Sequence, residues 1–357
     1  MLRVLLLRFG ALPARTRSAR LLYLALMFDE QHLQAIWYGG EKPGFLLRVL
    51  AAAYAVLSSL RLGLYASGWL PRRRLAVPVI VVGNISVGGT GKTPLVIALV
   101  DALRERGFKP GVISRGYAGG AGAVARVDAQ SDPAQVGDEA RLIFDATQVP
   151  LSVGRDRAEA GRALLDSADL DVLIADDGLQ HYKLCRDVEI CVIDGARRFG
   201  NTRLLPAGPL REPLARLDKV DFRVCNGGKP DHGEVAMTLA GEIAIALAEP
   251  HQQRPLRGFT GQRVHAVAGI GNPARFFTQL RQSGIEVIEH PFADHHPFKV
   301  RDLDFGDDLP VLMTAKDAVK CRAFAQPSHW FVPVRAELEA GFFDALAARL
   351  KKDRIGD

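Results

Sequence analysis

The stretch "AVPVIVVGNISVGGTGKTP", residues 76–94, constrains the fold more than any other part of the chain. Its β-branched run, punctuated by Pro78 and Gly83, reads as a buried strand. Gly88, Gly89 and Gly91 then permit backbone angles that a side chain would forbid, so successive N–H groups can turn onto phosphate oxygens. Lys92 adds a point charge for the β- and γ-phosphates, and the Thr93 hydroxyl is placed for Mg2+. Pro94 opens the amphipathic "PLVIALVDALRERG", a helix closed by Gly107. This context makes Ser86, Val87, Gly88, Gly89, Thr90, Gly91, Lys92 and Thr93 a phosphate loop, with Ser86 where the usual string has its first glycine.

Strands and helices continue to alternate. "KPGVISRGY" reads as a strand, "QVGDEARLIFDAT" as a loop and helix, "VPLSVG" as a strand, "RDRAEAGRALLDS" as a helix and "LDVLIADDGLQ" as a strand ending in acids. That succession predicts an α/β fold of the P-loop NTPase type, a doubly wound parallel sheet. After "KVDFRVCNGG" the composition shifts. "AMTLAGEIAIALAEP" reads as a connecting hairpin, and the segments from "RVHAVAGIGNP" to "HWFVPV" build a second, smaller α/β lobe. The expected organisation is a basic and apolar leader at 1–30, an N-terminal membrane-associated helix within 31–75, a P-loop domain at 76–235 and the second lobe at 236–357.

Two classes of P-loop protein are disfavoured. A sandwich-type partition ATPase carries a signature lysine where this chain has Val87, and a GTPase carries N/T-K-x-D, whereas the residue two beyond Lys316 in "TAKDAVK" is Ala318. Asp176 and Asp177 close an apolar strand, where a Walker B acid reaches Mg2+ directly or through water. Asp138 and Glu139 open a helix and read equally as N-terminal capping acids. Asp294, His295 and His296 suit base or orienting roles better than metal ligation. "GIGNP" (269–273) lacks the third glycine of a dinucleotide fingerprint and reads as a tight turn.

The charge of +6 is modest for 357 residues, and its placement carries more information than its size. Arg3, Arg8, Arg15, Arg17 and Arg20 crowd the start, and Arg72, Arg73 and Arg74 follow an apolar segment, which suggests an anionic surface near the N-terminus. That segment, residues 44–70, is interrupted by Arg48 and Arg61 and ends at Pro71. It reads either as a helix dipping into one leaflet with Trp69 at the interface, or as a helix packed on the protein's own core. The leader lacks a clean cleavage site, so export is not expected, and Met27 is an alternative start. Cys185, Cys191, Cys225 and Cys321 show no metal-ligand or disulfide spacing, which fits a reducing cytosol.

Taken in order, "IWYGG", "GNISVGGTGKTP", "SRGY", "GDE", "DDGLQH", "RLLPAGPLREP", "FADHH" and "TAKDAVK" resemble the tetraacyldisaccharide 4'-kinase family, from about Ile36 to the C-terminus. The resemblance implies transfer of the ATP γ-phosphate to the 4'-hydroxyl of an acylated glucosamine disaccharide 1-phosphate. The implied place is the cytoplasmic face of the bacterial inner membrane, with that surface as a partner and with no nucleic acid and no obligate protein partner. It implies ATP and Mg2+, with Asp138 as catalytic base, His295 as its partner, Lys92 on the phosphates and Arg211 steadying the phosphoryl group, Arg203 being the alternative. Thr93, Glu139, Asp176 and Asp177 would serve Mg2+, and Ser114, Arg115 and Tyr117 the substrate. Ser86 is then a family feature. Two departures stand out: the residues before about Glu30 lie outside the resemblance, and Ala315 occupies a position where an acid is expected. A membrane-bound P-loop regulator that hydrolyses ATP, and a kinase for a soluble metabolite, are the competing readings.

Overall fold

The structure is a computed structural model that describes residues 30–116 and 124–355, with side chains over 32–116 and 124–351. The leader at 1–29, with its arginines, and Tyr117 lie outside the described residues. The chain divides into two compact units, one running through Ser59 and including Phe199–Pro213, the other made of Leu60–Arg198 and the chain from Leu214 onward.

In the first unit the short helix Glu30–Tyr38 and the beginning of Phe45–Ala66 enclose a small apolar cluster of Ile36, Leu47 and Ala207. The loop that contains Ala207 is tied down by Asn201, whose amide donates to the carbonyls of Ile36 at 3.1 Å and Ala207 at 2.8 Å. Trp37 Nε1 donates to Pro206 O at 3.0 Å.

The helix Phe45–Ala66 settles the two readings of its segment in part: Leu47 is its one buried residue, so most of it is not packed on a core. By length and composition it could cross a membrane, with a mean hydropathy of 1.6. Phe45, Val49, Val56, Leu57 and Leu60 are exposed along it, and Trp69 just beyond is 81% exposed. Of the two interrupting arginines, Arg61 reaches back to the carbonyl of Gln180 at 3.4 Å.

The second unit holds two sheets. The larger has the order β15-β8-β7-β6-β1-β5-β2-β4-β3. Its central strand β1 (Val79–Gly83) lies parallel to β5 (Val172–Ala175) and β6 (Val188–Asp194). β2 (Pro110–Ser114) and β4 (Leu151–Val153) extend it on one side, and β7 (Phe222–Asn226) and β8 (Glu234–Ala240) on the other, all parallel. Only the edges, β3 (Ala125–Val127) and β15 (Arg335–Leu338), run antiparallel. Every residue of β1 is buried, as a central strand covered on both faces requires. The helix Lys92–Glu105 lays Leu95, Val96, Leu99, Val100 and Leu103 on that core and ends where Gly107, at φ +80°, turns the chain.

The second sheet has the order β10-β9-β14-β13-β11-β12, where β9 is Ile243–Ala246, β10 Gln253–Pro255, β11 Arg263–Ala268, β12 Glu286–Pro291, β13 Val311–Thr314 and β14 His329–Val332. Here "AMTLAGEIAIALAEP" departs from the expected hairpin. β8 pairs with β7 and β15 in the large sheet, whereas β9 pairs with β10 and β14 in the small one. The apolar alternation that suggested a hairpin is common to any half-buried strand, and pairing is not encoded in it. The boundary read near residue 235 falls inside β8, and the helix Ala340–Ile355 returns to the core of the large sheet through Phe342, Leu346 and Leu350. Gly241–Glu242 and Pro333–Val334 join the two sheets, and Gln279 pins the first link by donating to Gly241 O at 2.7 Å.

Candidate active site

Parallel strands deliver their carboxyl ends to one edge, and the phosphate loop leaves β1 there. Gly88 and Gly91 take φ of +105° and +93°, angles open to glycine at low cost. A side chain on Gly91 would also strike Asn226 at the end of β7, whose amide donates to Thr90 O at 2.9 Å and clamps the loop. Gln180 Nε2 donates to Asn84 O at 2.9 Å from the other side. Lys92 Nζ bonds Asn84 Oδ1 at 3.2 Å and lies 3.4 Å from Asp177 Oδ1. Ser86 is buried in the loop. The loop is thus preformed, with its lysine resting on a side-chain oxygen and a carboxylate that an entering phosphate can replace.

Asp176 follows β5 and is buried, and Ser114 Oγ donates to its Oδ2 at 3.4 Å. Ser114, expected at the substrate, is therefore tied to an acid, while Arg115 beside it is exposed. Burial first, then the charges of Glu139 and Asp177, push the Asp176 carboxyl up to about 7, against Lys92 and Arg157. Asp176 Oδ1, Thr90 Oγ1 and Asn84 Nδ2 are buried without a hydrogen-bond partner among the described residues. Crowded acids beside unmet polar atoms suit a hydrated divalent cation, whose charge relieves their repulsion. Among the described residues no three His, Cys, Asp or Glu side chains make a metal cage by themselves.

Asp138 opens the helix Asp138–Thr147, and His295 comes from the second sheet's "FADHH" loop. His295 Nδ1 lies 3.0 and 2.9 Å from the two Asp138 carboxylate oxygens, across 157 residues of sequence. His296 turns the other way and bonds Asp302 at 2.9 Å, so the paired histidines have separate partners. His295 at φ +62° and Asp177 at φ +47° both hold the left-handed conformation, which few non-glycine residues adopt, Asp and His more readily than most. Burial would raise the Asp138 pKa, but the His295 hydrogen bond and the ammonium groups of Lys316 and Lys320 outweigh it and hold the carboxyl below its ordinary value. The bond to Asp138 raises His295 in turn, against burial and Lys316.

Several contributors escaped the sequence reading. Lys316 of "TAKDAVK" donates to Glu139 at 3.0 Å, Asp294 at 3.3 Å and His295 Nε2 at 3.3 Å. Because an ammonium only donates, the neutral His295 ring presents Nδ1–H to Asp138. Burial opposes the Lys316 charge, yet Glu139, Asp138 and Asp294 raise its pKa well above the usual lysine value. Asp317, fully buried, accepts from the Gly269 amide at 2.9 Å and the Thr314 hydroxyl at 2.7 Å, and pairs with Lys320 at 2.8 Å. In "TAKDAVK" the acid therefore braces a turn. Arg157, read only as the start of a helix, is 4% exposed; burial lowers its pKa to about 10 against the pull of Asp176 and Asp177. A charged residue at a helix start looks solvated in sequence, and no local signal marks this one. His181 of "DDGLQH" accepts the Arg157 backbone N–H at 3.4 Å and is held near 4, by burial first and then by Arg157.

Arg203 and Arg211 belong to the first unit. Arg203 is exposed, Arg211 is half-buried, and the Arg211 carbonyl accepts from the Tyr54 hydroxyl at 2.8 Å.

Residues 44–351 match the family model described as tetraacyldisaccharide-1-P 4'-kinase. The chain is 52% identical over 327 residues to the tetraacyldisaccharide 4'-kinase of Stenotrophomonas maltophilia, an overlap of 89% of this chain and 96% of the relative. With the protein of the same name from Methylobacillus flagellatus it shares 49% identity over 321 residues, covering 90% of this chain and 96% of the relative. It also resembles a crystal structure of "apo" form LpxK from Aquifex aeolicus in complex with ATP, with a TM-score of 0.71 and 28% identity over 84% of this chain and 97% of that one.

Proposed function

The chain belongs to the tetraacyldisaccharide-1-P 4'-kinase family, and on that premise we propose that it phosphorylates the 4'-hydroxyl of an acylated glucosamine disaccharide 1-phosphate at the expense of ATP, a step of lipid A biosynthesis. The observation that carries the reading is the Asp138–His295 pair in the same compact unit as the preformed phosphate loop. A nucleotide loop alone would fit any P-loop protein. A carboxylate oriented by an imidazole supplies what a hydroxyl acceptor needs in addition.

Asp138 takes the proton of the attacking hydroxyl as its oxygen bonds to the γ-phosphorus, and His295 orients the carboxylate through Nδ1. Lys92 and the loop N–H groups hold the phosphates, since phosphoryl transfer depends mostly on positioning and charge stabilisation. Thr93, Glu139, Asp176 and Asp177 would hold Mg2+ beside the phosphates, supported by the crowding that drives Asp176 to about 7 and by its unmet oxygen. When bound, the cation neutralises charge on the phosphate oxygens. Arg115 and the neighbouring Ser114 and Tyr117 are assigned to the substrate, and Arg211 to the phosphoryl group, on the family resemblance of their loops.

Incubation with γ-labelled ATP and the acylated disaccharide 1-phosphate tests this, and label is expected on the lipid. ATP hydrolysis with no label on any acceptor sinks the kinase reading in favour of a P-loop regulator, and preferential labelling of a soluble sugar sinks the lipid assignment.

The exposed apolar face of Phe45–Ala66 supports peripheral or monotopic attachment at the cytoplasmic face of the inner membrane, where such a lipid resides. Val56 and Leu57 are each 67% exposed, so converting both to aspartate leaves the core intact. The double variant is expected to lose co-sedimentation with vesicles of phosphatidylethanolamine and phosphatidylglycerol while melting at the wild-type temperature. Unchanged sedimentation would remove this face from membrane binding.

A further inference from the structure

Val87 stands where partition ATPases place a lysine on the transferring phosphate, so the loop lacks a cation at its leading edge. We propose that Arg197 supplies it, contacting the γ-phosphate of bound ATP and steadying the charge that develops as the phosphoryl group leaves. The proposal rests on the kinase reading above.

Arg197 follows β6, the strand beside the phosphate-loop strand. A Cβ at Gly88 would stand 3.3 Å from Arg197 Nη2 and 3.8 Å from Cζ, so the guanidinium lies against the residue next to Val87. A Cβ there would make a tight contact with the guanidinium, and the φ of +105° independently favours glycine. The arginine is oriented before any ligand arrives. Asp194, buried at the end of β6, accepts the Arg197 backbone N–H at 3.1 Å and its Nε at 3.2 Å, while Nη1 donates to Gly271 O at 3.2 Å. Gly271 belongs to "GIGNP", and a Cβ on it would fall 2.5 Å from the Gly89 nitrogen. The turn that resembled a dinucleotide fingerprint therefore packs on the phosphate loop itself.

Arg275, two residues beyond "GIGNP", also reaches Asp194 at 3.4 Å, so two guanidinium groups meet at one buried carboxylate. Arginine keeps its charge at any working pH and offers planar donors to phosphate oxygens. In the step it assists, the acceptor oxygen forms its bond to the γ-phosphorus. The bond to the bridging oxygen breaks with its electron pair going to the β-phosphate of ADP, and the hydroxyl proton goes to Asp138.

The test compares ATP and ADP affinities of the full-length wild type, Arg197→Ala and Arg197→Gln by titration calorimetry without lipid acceptor, together with kcat. The expected result is a loss of ATP affinity of about 10- to 100-fold with ADP affinity within twofold, a kcat fall of similar or larger size, and partial recovery of the Ala variant by methylguanidinium. Equal weakening of ATP and ADP, or kcat within threefold of wild type, overturns the assignment. Arg197→Gln keeps the bulk against Gly88 and answers the question if the Ala variant does not fold. Because binding is read without the acceptor, failure of lipid phosphorylation and failure of this assignment are separate results.

Discussion

Asp138→Asn is expected to lower kcat by about 10²- to 10⁴-fold while ATP binds within a few-fold of the wild-type affinity. Asn keeps the shape and can still accept the His295 Nδ1–H, so the 2.9 Å contact and the helix start survive while the proton acceptor does not. His295→Ala removes only the orienting partner, from a side chain 39% exposed, and a smaller loss of about tenfold is expected. Steady-state kinetics with a nucleotide titration on the same preparations check both. Asp138→Asn turning over at a near-normal rate would remove Asp138 from the base role.

The pH profile carries the same argument with a definite sign. His295 titrates above its ordinary 6.5, because its hydrogen bond to Asp138 favours the imidazolium against burial and the Lys316 charge. Once protonated, the ring pins the Asp138 negative charge and weakens it as a base, so the rate falls as pH drops through that raised value. In Asp138→Asn the stabilising charge is absent, and the acid limb of the residual rate moves to lower pH. An acid limb in the same place for both proteins would show that another group controls it.

The largest loss of stability is expected from Asp317→Ala, about 3–5 kcal/mol in urea unfolding. Asp317 is completely buried and meets the Gly269 amide, the Thr314 hydroxyl and the Lys320 ammonium at once, so its removal leaves two polar groups without their partner and Lys320 with the more distant Asp138 at 3.8 Å. Asp317→Asn, which still accepts one or two of these bonds, should lose less. A change below about 1 kcal/mol in the Ala variant would mean that water replaces the carboxylate. The predicted effect also explains why "TAKDAVK" imitates a guanine-specificity motif: a lysine and an acid side by side are here a reach into the active site and a brace behind it.

What was legible in the sequence was local. The strand 79–83, the loop glycines and the helix that follows depend on neighbouring residues, on backbone angles and on a repeat of apolar positions, and the structure shows each of them. The acids after β5 were legible for the same reason, since a strand end announces where its next residues emerge. Arg157 and Lys316 were not, because a buried charge is written with the same letter as a solvated one. The pairing of β8 and β9 was not either: period-two alternation states that a strand has an inside and an outside, and leaves its neighbour open.

The sequence by itself determined a nucleotide loop on a parallel sheet, because glycine freedom and apolar periodicity act over a few residues. The family resemblance had already singled out His295 over His296 for Asp138, whereas only the tertiary structure decided that Asp317 faces inward and that Arg197 rests on Gly88. These contacts join residues about 50 to 160 positions apart in the chain. Strand order and the path of the returning chain bring such groups within hydrogen-bond range, and no short window of sequence contains that information.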